Sequence, residues 1–206
     1  VQRIDIPRKS IYRLSIYQRC LARLKENGVE TVSSEALAKA AGVKSTQLRK
    51  DLTYFGQFGT RGLGYNVEQL SKTIGAVLGH NRLQPVILVG LGNLGSALLR
   101  YGGFRKEGFE IVAAFDLSPN QARVGETSIA LHGMDKLATF VRQNNVKMAI
   151  LTVPVTAAQL VTNQLVQAGI QAVLNFSPTV LEVPEHVVVN SVDLAVELEN
   201  LSYFIK

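Results

Sequence analysis

The chain has 206 residues, 47% of them hydrophobic, and a formal net charge of +6. This length is comfortable for two domains, and the apolar runs are shorter than the roughly 18 residues expected of a membrane span. Cys20 is the one cysteine, which excludes an internal disulfide and suits a reducing cytoplasm. We therefore expect a cytoplasmic protein without a membrane partner.

The excess of positive charge is confined to the first part of the chain. Residues 1–85 contain 14 Lys and Arg against 6 Asp and Glu, a net charge of +8, whereas residues 86–206 contain 8 against 10, a net charge of −2. Such a localised excess favours a polyanionic partner, with nucleic acid the first candidate. From charge alone, a solvated basic surface is an equally good interpretation.

The basic part begins with an amphipathic helical pattern. Apolar residues recur at steps of three and four between about Ser10 and Asn27, and Gly28 is well placed to end the helix. The segment SSEALAKAAG predicts a second helix that is capped by Ser33 or Ser34.

A third helix, TQLRKDLTYF, follows after a short turn that contains Gly42. Ser45 or Thr46 is its expected cap, and it should end at Gly56. Leu48, Leu52 and Phe55 would face the core. Two short helices joined by a tight glycine turn are typical of a helix-turn-helix.

The next segment, GQFGTRGLGY, contains four glycines and predicts a tight hairpin. A hairpin directly after a helix-turn-helix makes a winged helix, in which Arg61 could enter a narrow minor groove. Arg49 and Lys50 could reach guanine edges or phosphates. The predicted DNA contacts are Ser45, Thr46, Gln47, Arg49, Lys50, Tyr54, Phe58, Arg61 and Gly62. The alternative is a basic helical module that binds proteins.

A glycine-rich loop opens the second part of the chain. The strand PVILVG runs into Gly90-x-Gly92-x-x-Gly95, and a helix, NLGSALLRYG, follows. In such a loop the first glycine permits the turn, the second lets the backbone approach a pyrophosphate, and the third lets helix and strand pack closely. The helix N-terminus would add free N–H groups for the phosphates.

Asp116 ends the next strand, EIVAAFD, 21 residues after Gly95. A carboxylate there would bind the ribose hydroxyls and repel a 2′-phosphate, which favours NAD(H) over NADP(H). The alternative is a glycine turn in an ordinary α/β sheet with an incidental aspartate.

Strands and helices continue to alternate up to a C-terminal helix, LAVELENLSYFIK, which predicts a parallel, doubly wound Rossmann-type sheet. Ligands of such sheets lie outside the carboxyl ends of the strands. Two strand ends, TVP and NFSP, could therefore line the nicotinamide side, or they could be plain turns. The predicted cofactor contacts are Gly90, Leu91, Gly92, Asn93, Leu94, Gly95, Asp116, Thr152, Val153, Pro154, Asn175, Phe176, Ser177 and Pro178.

The sequence offers little for catalysis. No His, Lys or Cys falls at these strand ends, no nucleophile motif is present, and the three histidines lie too far apart to predict a metal site. A DNA-binding part joined to a cofactor-binding part suggests a transcription factor that senses NAD(H), without catalytic residues. The alternatives are a small NAD-dependent dehydrogenase with a basic appendage, and a dinucleotide-binding scaffold with acidic protein partners.

The sequence closely resembles the Rex family of bacterial redox-sensing repressors nearly end to end. The resemblance is carried by LRKDLTYFGQFGTRGLGY, VGLGNLGSAL, LTVP and LNFSPTVLEVPEHVVVNSVDLAVELENLS. It implies a homodimer with a winged-helix domain in residues 1–80, a Rossmann domain in 81–188, and a C-terminal helix in 189–206 that swaps onto the partner. It also implies that the dimer binds palindromic double-stranded operator DNA, that NADH releases it, and that NAD+ permits binding.

The resemblance further implies a network between the domains that consists of Arg13, Tyr101 and Asp193, which match by their local motifs YRLSIY, LLRYGGF and NSVDLA. From the residues alone, other roles are as good. Arg13 could be an exposed helix charge, Tyr101 a core aromatic residue and Asp193 a helix N-cap. Leu194 stands where the family often has an aromatic residue.

Overall fold

The computed structural model of the chain describes residues 6–56, 58–59, 63–79, 82–119 and 127–205. The chain divides into two compact units, Val1–Arg82 and Leu83–Lys206. Each unit has its own hydrophobic core.

The N-terminal unit is mainly helical, with one small antiparallel sheet in which β1 pairs with β2. Its elements are α1 (Arg8–Glu26), β1 (Thr31–Val32), α2 (Ser34–Ala40), α3 (Ser45–Thr53), β2 (Tyr65–Asn66) and α4 (Val67–Leu78). The helix-turn-helix is formed by α2 and α3, which pack against each other. Between them Gly42 has a φ of +67°, a left-handed conformation that glycine adopts at little cost.

The caps agree with expectation at one helix and differ at another. Ser33 caps α2, since its hydroxyl accepts a hydrogen bond from the backbone N–H of Ala36 at 3.0 Å. The expectation that Ser45 or Thr46 caps α3 is wrong. Ser45 is already the first residue inside the helix, so Lys44 occupies the N-cap. Its ammonium group has no acceptor and makes no cap bond.

The helix α4 was not predicted, and it supplies much of the core. It packs along α1 and buries Val67, Leu70 and Ile74 at three- and four-residue steps. Asn66 caps it by accepting from the N–H of Gln69. The N-terminal unit is therefore closed by a helix pair as well as by the helix-turn-helix.

The predicted wing lies only in part within the described residues. Gln57, Thr60, Arg61 and Gly62 are outside them, so the DNA contacts predicted for Arg61 and Gly62 remain predictions. On either side, the chain comes close to itself. A methyl group on Gly59 would lie 2.6 Å from the carbonyl oxygen of Gly64, and both glycines have a positive φ.

The C-terminal unit is a layered α/β fold. Its elements are β3 (Gln84–Val89), α5 (Asn93–Leu99), α6 (Gly103–Lys106), β4 (Phe109–Asp116), β5 (Ala130–Gly133), a 3₁₀ turn (Met134–Lys136), α7 (Leu137–Gln143), β6 (Met148–Leu151), α8 (Val155–Ala168), β7 (Ala172–Asn175), β8 (Val188–Ser191) and α9 (Leu194–Ser202). The short edge strand β5 and the single turn α6 were not predicted.

All six strands described in this unit are parallel, in the order β5-β4-β3-β6-β7-β8. The chain moves outward from β3 through β4 to β5, then returns to place β6 on the other side of β3. This is the doubly wound Rossmann order, with its switch point between β3 and β6. The predicted fold class is confirmed.

Apolar side chains cover both faces of the sheet. One face packs against α7 and α8, with Phe115, Val141 and Leu165 among its buried residues. The other packs against α5 and α6, with Leu88, Leu99 and Phe104. This packing holds the carboxyl ends of β3, β4, β6 and β7 at one edge, where the predicted cofactor residues lie.

Candidate functional site

The loop from β3 to α5 has the conformation that its glycines permit. Gly90 has a φ of +100°, and a methyl group there would lie 2.6 Å from the carbonyl oxygen of Thr152. A methyl group on Gly95 would clash with the Gly90 carbonyl, whereas one on Gly92 would meet no atom within 4 Å. Gly90 and Gly95 therefore serve the turn and its packing, and Gly92 leaves open space beside the backbone.

The other residues of this loop face different surroundings. Leu91 is buried in the core, whereas Asn93 and Leu94, the first two residues of α5, are exposed. The loop thus presents its backbone and the start of α5 outward while one apolar side chain anchors it.

Asp116, at the end of β4, is held against the loop. One carboxylate oxygen accepts from the N–H of Leu91 at 2.6 Å, and the other accepts from the N–H of Ser118 at 2.9 Å. An ionised carboxylate has about four acceptor positions, so it can accept further hydrogen bonds from a ligand's hydroxyl groups. The two backbone bonds fix where those positions point.

Thr152 follows β6 and crosses the switch point. Its hydroxyl lies 2.8 Å from the Gly90 carbonyl oxygen and 3.1 Å from the Val89 carbonyl oxygen. Both oxygens accept from this one hydroxyl group. Its N–H also donates to Val89. The hydroxyl expected on the nicotinamide side therefore holds the glycine loop in this structure.

A second cluster supports the loops that follow β6, β7 and β8. Asn175 is fully buried, and its amide nitrogen donates to the carbonyls of Ser177 and Thr179 and to the hydroxyl of Ser191. The Ser177 hydroxyl donates to the Val153 carbonyl at 2.5 Å. These polar groups tie three strand ends together.

The neighbours of this cluster offer apolar surface. Val153 and Phe176 are half-buried, and Pro154 and Pro178 are exposed. An edge with open backbone at Gly92, a fixed carboxylate and apolar patches has the chemistry that a dinucleotide needs: phosphate, ribose and ring. The individual contacts remain predictions.

In the N-terminal unit, α3 presents a polar outer face. Thr46, Arg49 and Lys50 are exposed, while Leu48 and Leu52 are buried. Arg49 also donates to the hydroxyl of Ser34, 3.3 Å away on α2. The remaining described residues of the predicted DNA-contact set are half-buried: Ser45, Gln47, Tyr54 and Phe58.

A buried charged cluster lies behind α3. The carboxylate of Asp51 is fully buried and accepts from Nε and Nη2 of Arg13, at 2.5 and 2.7 Å. It also accepts from the hydroxyl of Tyr17 at 2.8 Å and from the amide of Gln47 at 2.9 Å. Arg13 donates in addition to Ser10.

This arrangement shifts the pKa of each ionisable partner. Burial raises the pKa of Asp51, but the hydrogen bonds from Arg13, Tyr17 and Gln47 outweigh it and hold that pKa below its ordinary value. Burial and the bond to Asp51 raise the pKa of the Tyr17 hydroxyl. Asp51 is therefore ionised and paired at neutral pH.

Sequence reasoning missed Asp51. It stands between Leu48 and Leu52 on a face that was expected to be apolar, four residues after Gln47. A charged residue in that position is a usable signal, because buried carboxylates in proteins are almost always paired.

The three residues assigned to an interdomain network each have local partners. Arg13 bonds Asp51 within its own unit. The ring of Tyr101, on an exposed side chain, packs edge-on against Phe104 with centroids 5.1 Å apart. Asp193 caps α9 by accepting from the N–H groups of the second and third residues after it. The network remains a prediction.

The C-terminal helix α9 has no buried residue, although much of it is apolar. Leu198 is 66% exposed, Leu201 62% and Phe204, just beyond the helix, 81%. Several exposed apolar side chains on one short segment are typical of interaction surfaces.

Two absences concern the described part of the chain. No helix within it is long and apolar enough to span a membrane. Nor do three or more of its His, Cys, Asp or Glu side chains gather where they could bind a metal ion.

Two family models match the two parts of the chain. Residues 5–53 match a model described as the putative DNA-binding protein N-terminus, and residues 81–179 match one described as the CoA binding domain. The first match spans α1 to α3, and the second spans the glycine loop and the sheet from β3 to β7.

Similarity to known proteins extends over nearly the whole chain. The redox-sensing transcriptional repressor Rex of Carboxydothermus hydrogenoformans is 49% identical over 98% of this chain and 97% of its own. The crystal structure of RSP in complex with NAD+ and operator DNA is 35% identical, with a TM-score of 0.89 over 98% of this chain and 93% of RSP. RSP in complex with NADH gives 34% identity and a TM-score of 0.86 over 98% and 94%. This chain belongs to the family of redox-sensing transcriptional repressors named Rex.

Proposed function

We propose that this chain forms a homodimeric repressor that binds palindromic operator DNA. Binding of NADH releases the dimer from that DNA. The observation that carries the proposal is the presence, in one chain, of a dinucleotide cradle at Gly92 and Asp116 and an exposed basic helix α3. The relative RSP has been crystallised with operator DNA and with both forms of the cofactor.

On the DNA side, α3 is the recognition helix. Arg49 and Lys50 are exposed on its outer face, where they can reach guanine edges in the major groove or phosphates, and Thr46 is exposed at its start. Arg61 belongs to the glycine-rich segment and is assigned to the minor groove. The net charge of +8 in residues 1–85 supplies non-specific attraction to the duplex.

On the cofactor side, Asp116 binds the adenosine ribose, and the backbone at Gly92 faces the pyrophosphate. The fixed carboxylate excludes a 2′-phosphate, so the ligands are NAD+ and NADH. The loops that begin at Thr152 and Asn175 surround the nicotinamide, with Val153 and Phe176 as apolar contacts. The bonds of Thr152, Asn175 and Ser177 to the backbone keep these loops in place.

We assign residues 1–80 to DNA binding, 81–188 to the cofactor and 189–206 to the dimer. The exposed apolar side chains of α9 would be buried on the partner subunit. In a dimer that fits DNA, two copies of α3 enter successive major grooves about 34 Å apart. A repressor of this kind acts where the chromosome lies, in the cytoplasm.

NADH must bind a second dimer state more tightly than the DNA-binding state, since otherwise it cannot shift the balance. The two cofactor forms differ at the nicotinamide, in ring charge and planarity. Two positively charged rings brought close together in the dimer would disfavour the state that NADH selects. Additional contacts between the domains, made by Arg13, Tyr101 and Asp193, would form in one state and be absent from the other.

An enzyme is the second candidate, because a Rossmann sheet often serves a dehydrogenase. A dehydrogenase needs a proton donor or acceptor beside the nicotinamide. The segments 152–154 and 175–178 contain no His, Lys or Cys. Turnover of NADH with a panel of aldehydes and ketones would support the enzyme and contradict a purely sensory role.

Selection of duplexes from a random library, with NAD+ present, tests the repressor. The expected result is an inverted repeat whose half-sites are centred about one helical turn apart. Enrichment of single, unpaired sites, or no enrichment, would contradict the dimeric repressor.

The assignment of Asp116 has its own test. Asp116→Ala should weaken NADH binding and raise the NADH concentration that releases DNA, while operator affinity without cofactor stays the same. Release at the wild-type concentration would show that the ribose is bound elsewhere.

A further inference from the structure

The cluster around Asp51 places a charge where packing alone would call for an apolar side chain. Asp51 has no exposed surface, and its neighbours on the inner face of α3 are Leu48 and Leu52. Taking a carboxylate and a guanidinium out of water is costly, and apolar residues of similar size often stabilise a fold as well or better. Stability alone therefore does not explain this choice of residue.

The hydrogen bonds of this cluster fix the orientation of α3 relative to α1. Three of the four bonds to the Asp51 carboxylate come from α1, through Arg13 and Tyr17, and one comes from Gln47, a turn earlier on α3. Contacts between leucines tolerate a helix turning about its own axis. The three bonds from α1, between 2.5 and 2.8 Å and received by both carboxylate oxygens, do not.

The rotation of α3 decides where its outer face points. Residues on a helix are spaced about 100° apart, so the side chains of Arg49 and Lys50 point outward when Asp51 points toward α1. With a helix radius of about 6 Å, a rotation of about 20° moves the outer side chains by about 2 Å. That displacement is enough to break a hydrogen bond to a base edge.

We propose that Asp51 is a positioning residue for DNA recognition: through its bonds with Arg13 and Tyr17 of α1 it fixes the rotation of α3, and so the alignment of Arg49 and Lys50 with the bases. This inference rests on the proposed function. It also gives Gln47 a role inside the unit, because its amide nitrogen is bound to Asp51.

A triple variant, Arg13→Met with Tyr17→Phe and Asp51→Leu, separates positioning from stability. It removes the charged pair together with the hydroxyl that would otherwise be buried without an acceptor. Because the replacements are apolar and of similar size, the unit should remain folded. The control is Lys25→Met with Glu68→Leu, which removes another ion pair between helices, an exposed one of 3.3 Å that does not involve α3.

The measurement is the affinity of each variant for the selected operator and for a scrambled duplex of equal length. A partly unfolded protein loses affinity for both duplexes by the same factor, so the ratio of the two affinities reports positioning. We expect this ratio to fall about tenfold in the triple variant, the order of one lost base contact. The control should keep the wild-type ratio.

An unchanged ratio in a folded triple variant would overturn the proposal. Should the triple variant not fold, Tyr17→Phe decides, since it removes only one of the four bonds and should lower the ratio about threefold. A wild-type ratio in Tyr17→Phe then overturns the proposal. Failure of the wild-type protein itself to prefer any operator would instead overturn the proposed function.

Discussion

In the N-terminal unit a buried carboxylate and a guanidinium hold α3, the proposed recognition helix, whereas in the C-terminal unit neutral hydroxyl and amide groups hold the glycine loop and the loops beside it. Asp51 accepts four bonds, two of them from the charged Arg13. In the C-terminal unit, Thr152 and Asn175 hold their loops through uncharged donors. The comparison shows that removing half of a charged pair should cost far more than removing one neutral bond.

Arg13→Met should have the largest effect. It leaves the Asp51 carboxylate buried with only Tyr17 and Gln47 as donors, and we expect a loss of about 3 kcal/mol in the free energy of unfolding of the N-terminal unit. Urea unfolding followed by circular dichroism measures it, with Lys25→Met as the control on the same helix. A loss of stability no larger than that of the control would contradict the expectation that the charged pair matters more than a neutral bond.

Gly92 and Gly95 of the glycine loop should respond differently to the same substitution. Gly95→Ala clashes with the Gly90 carbonyl, and overpacking of this kind should cost about 2 kcal/mol of stability. Gly92→Ala meets no neighbouring atom and should leave stability unchanged. It should weaken NADH binding by about tenfold, because its methyl group would fill the space that we propose for the pyrophosphate. Unfolding curves and NADH titrations on both variants check this.

If Gly92→Ala binds NADH as tightly as the wild type, the pyrophosphate does not lie against that backbone. Equal stability of the two variants would instead show that the close packing at Gly95 relaxes easily.

Thr152→Val tests a neutral bond of the same loop. It removes the hydroxyl that donates to Gly90 and should cost about 1 kcal/mol, because that carbonyl loses its donor. Thr152→Ser keeps the hydroxyl and serves as the matched control. A loss as large as that of Arg13→Met would contradict the contrast between charged and neutral supports.

Lowering the pH should reduce the stabilisation that the charged cluster provides, and this effect should be smaller than those of the substitutions above. The pKa of Asp51 is lowered in the folded protein, so its bonds stabilise the fold above the unfolded value of about 4, and this contribution is lost as the pH falls through the folded pKa. Between neutral pH and about pH 3, the triple variant should therefore lose less stability than the wild type. Urea midpoints at both pH values measure the difference, and equal losses would contradict it.

Much of the fold follows from local patterns in the sequence. Helical periodicity in residues 10–27 and apolar strands with glycine turns after residue 85 predicted most elements to within a few residues. The helix α4 was not predicted, although it carries the same signal at Val67, Leu70 and Ile74. The edge strand β5 has only four residues and little alternation, so its sequence carries no comparable signal.

Part of the candidate site likewise follows from local sequence patterns, and part depends on how distant segments pack. The spacing of Asp116 from the glycine loop is a local feature, and the structure brings Asp116 to that loop. The bond between Arg13 and Asp51 joins residues 38 apart, and it depends on how α1 packs against α3. Periodicity places Asp51 on the inner face of its helix but does not say which residue meets it there.

The most direct test of the account is fluorescence anisotropy of a labelled operator duplex bound to the wild-type protein, titrated with NADH and, separately, with NAD+. NADH should lower operator affinity far more than NAD+ does, because only NADH favours the dimer state whose two recognition helices no longer fit successive major grooves. Operator binding that neither cofactor changes would contradict it, since the cradle at Gly92 and Asp116 would then have no influence on α3.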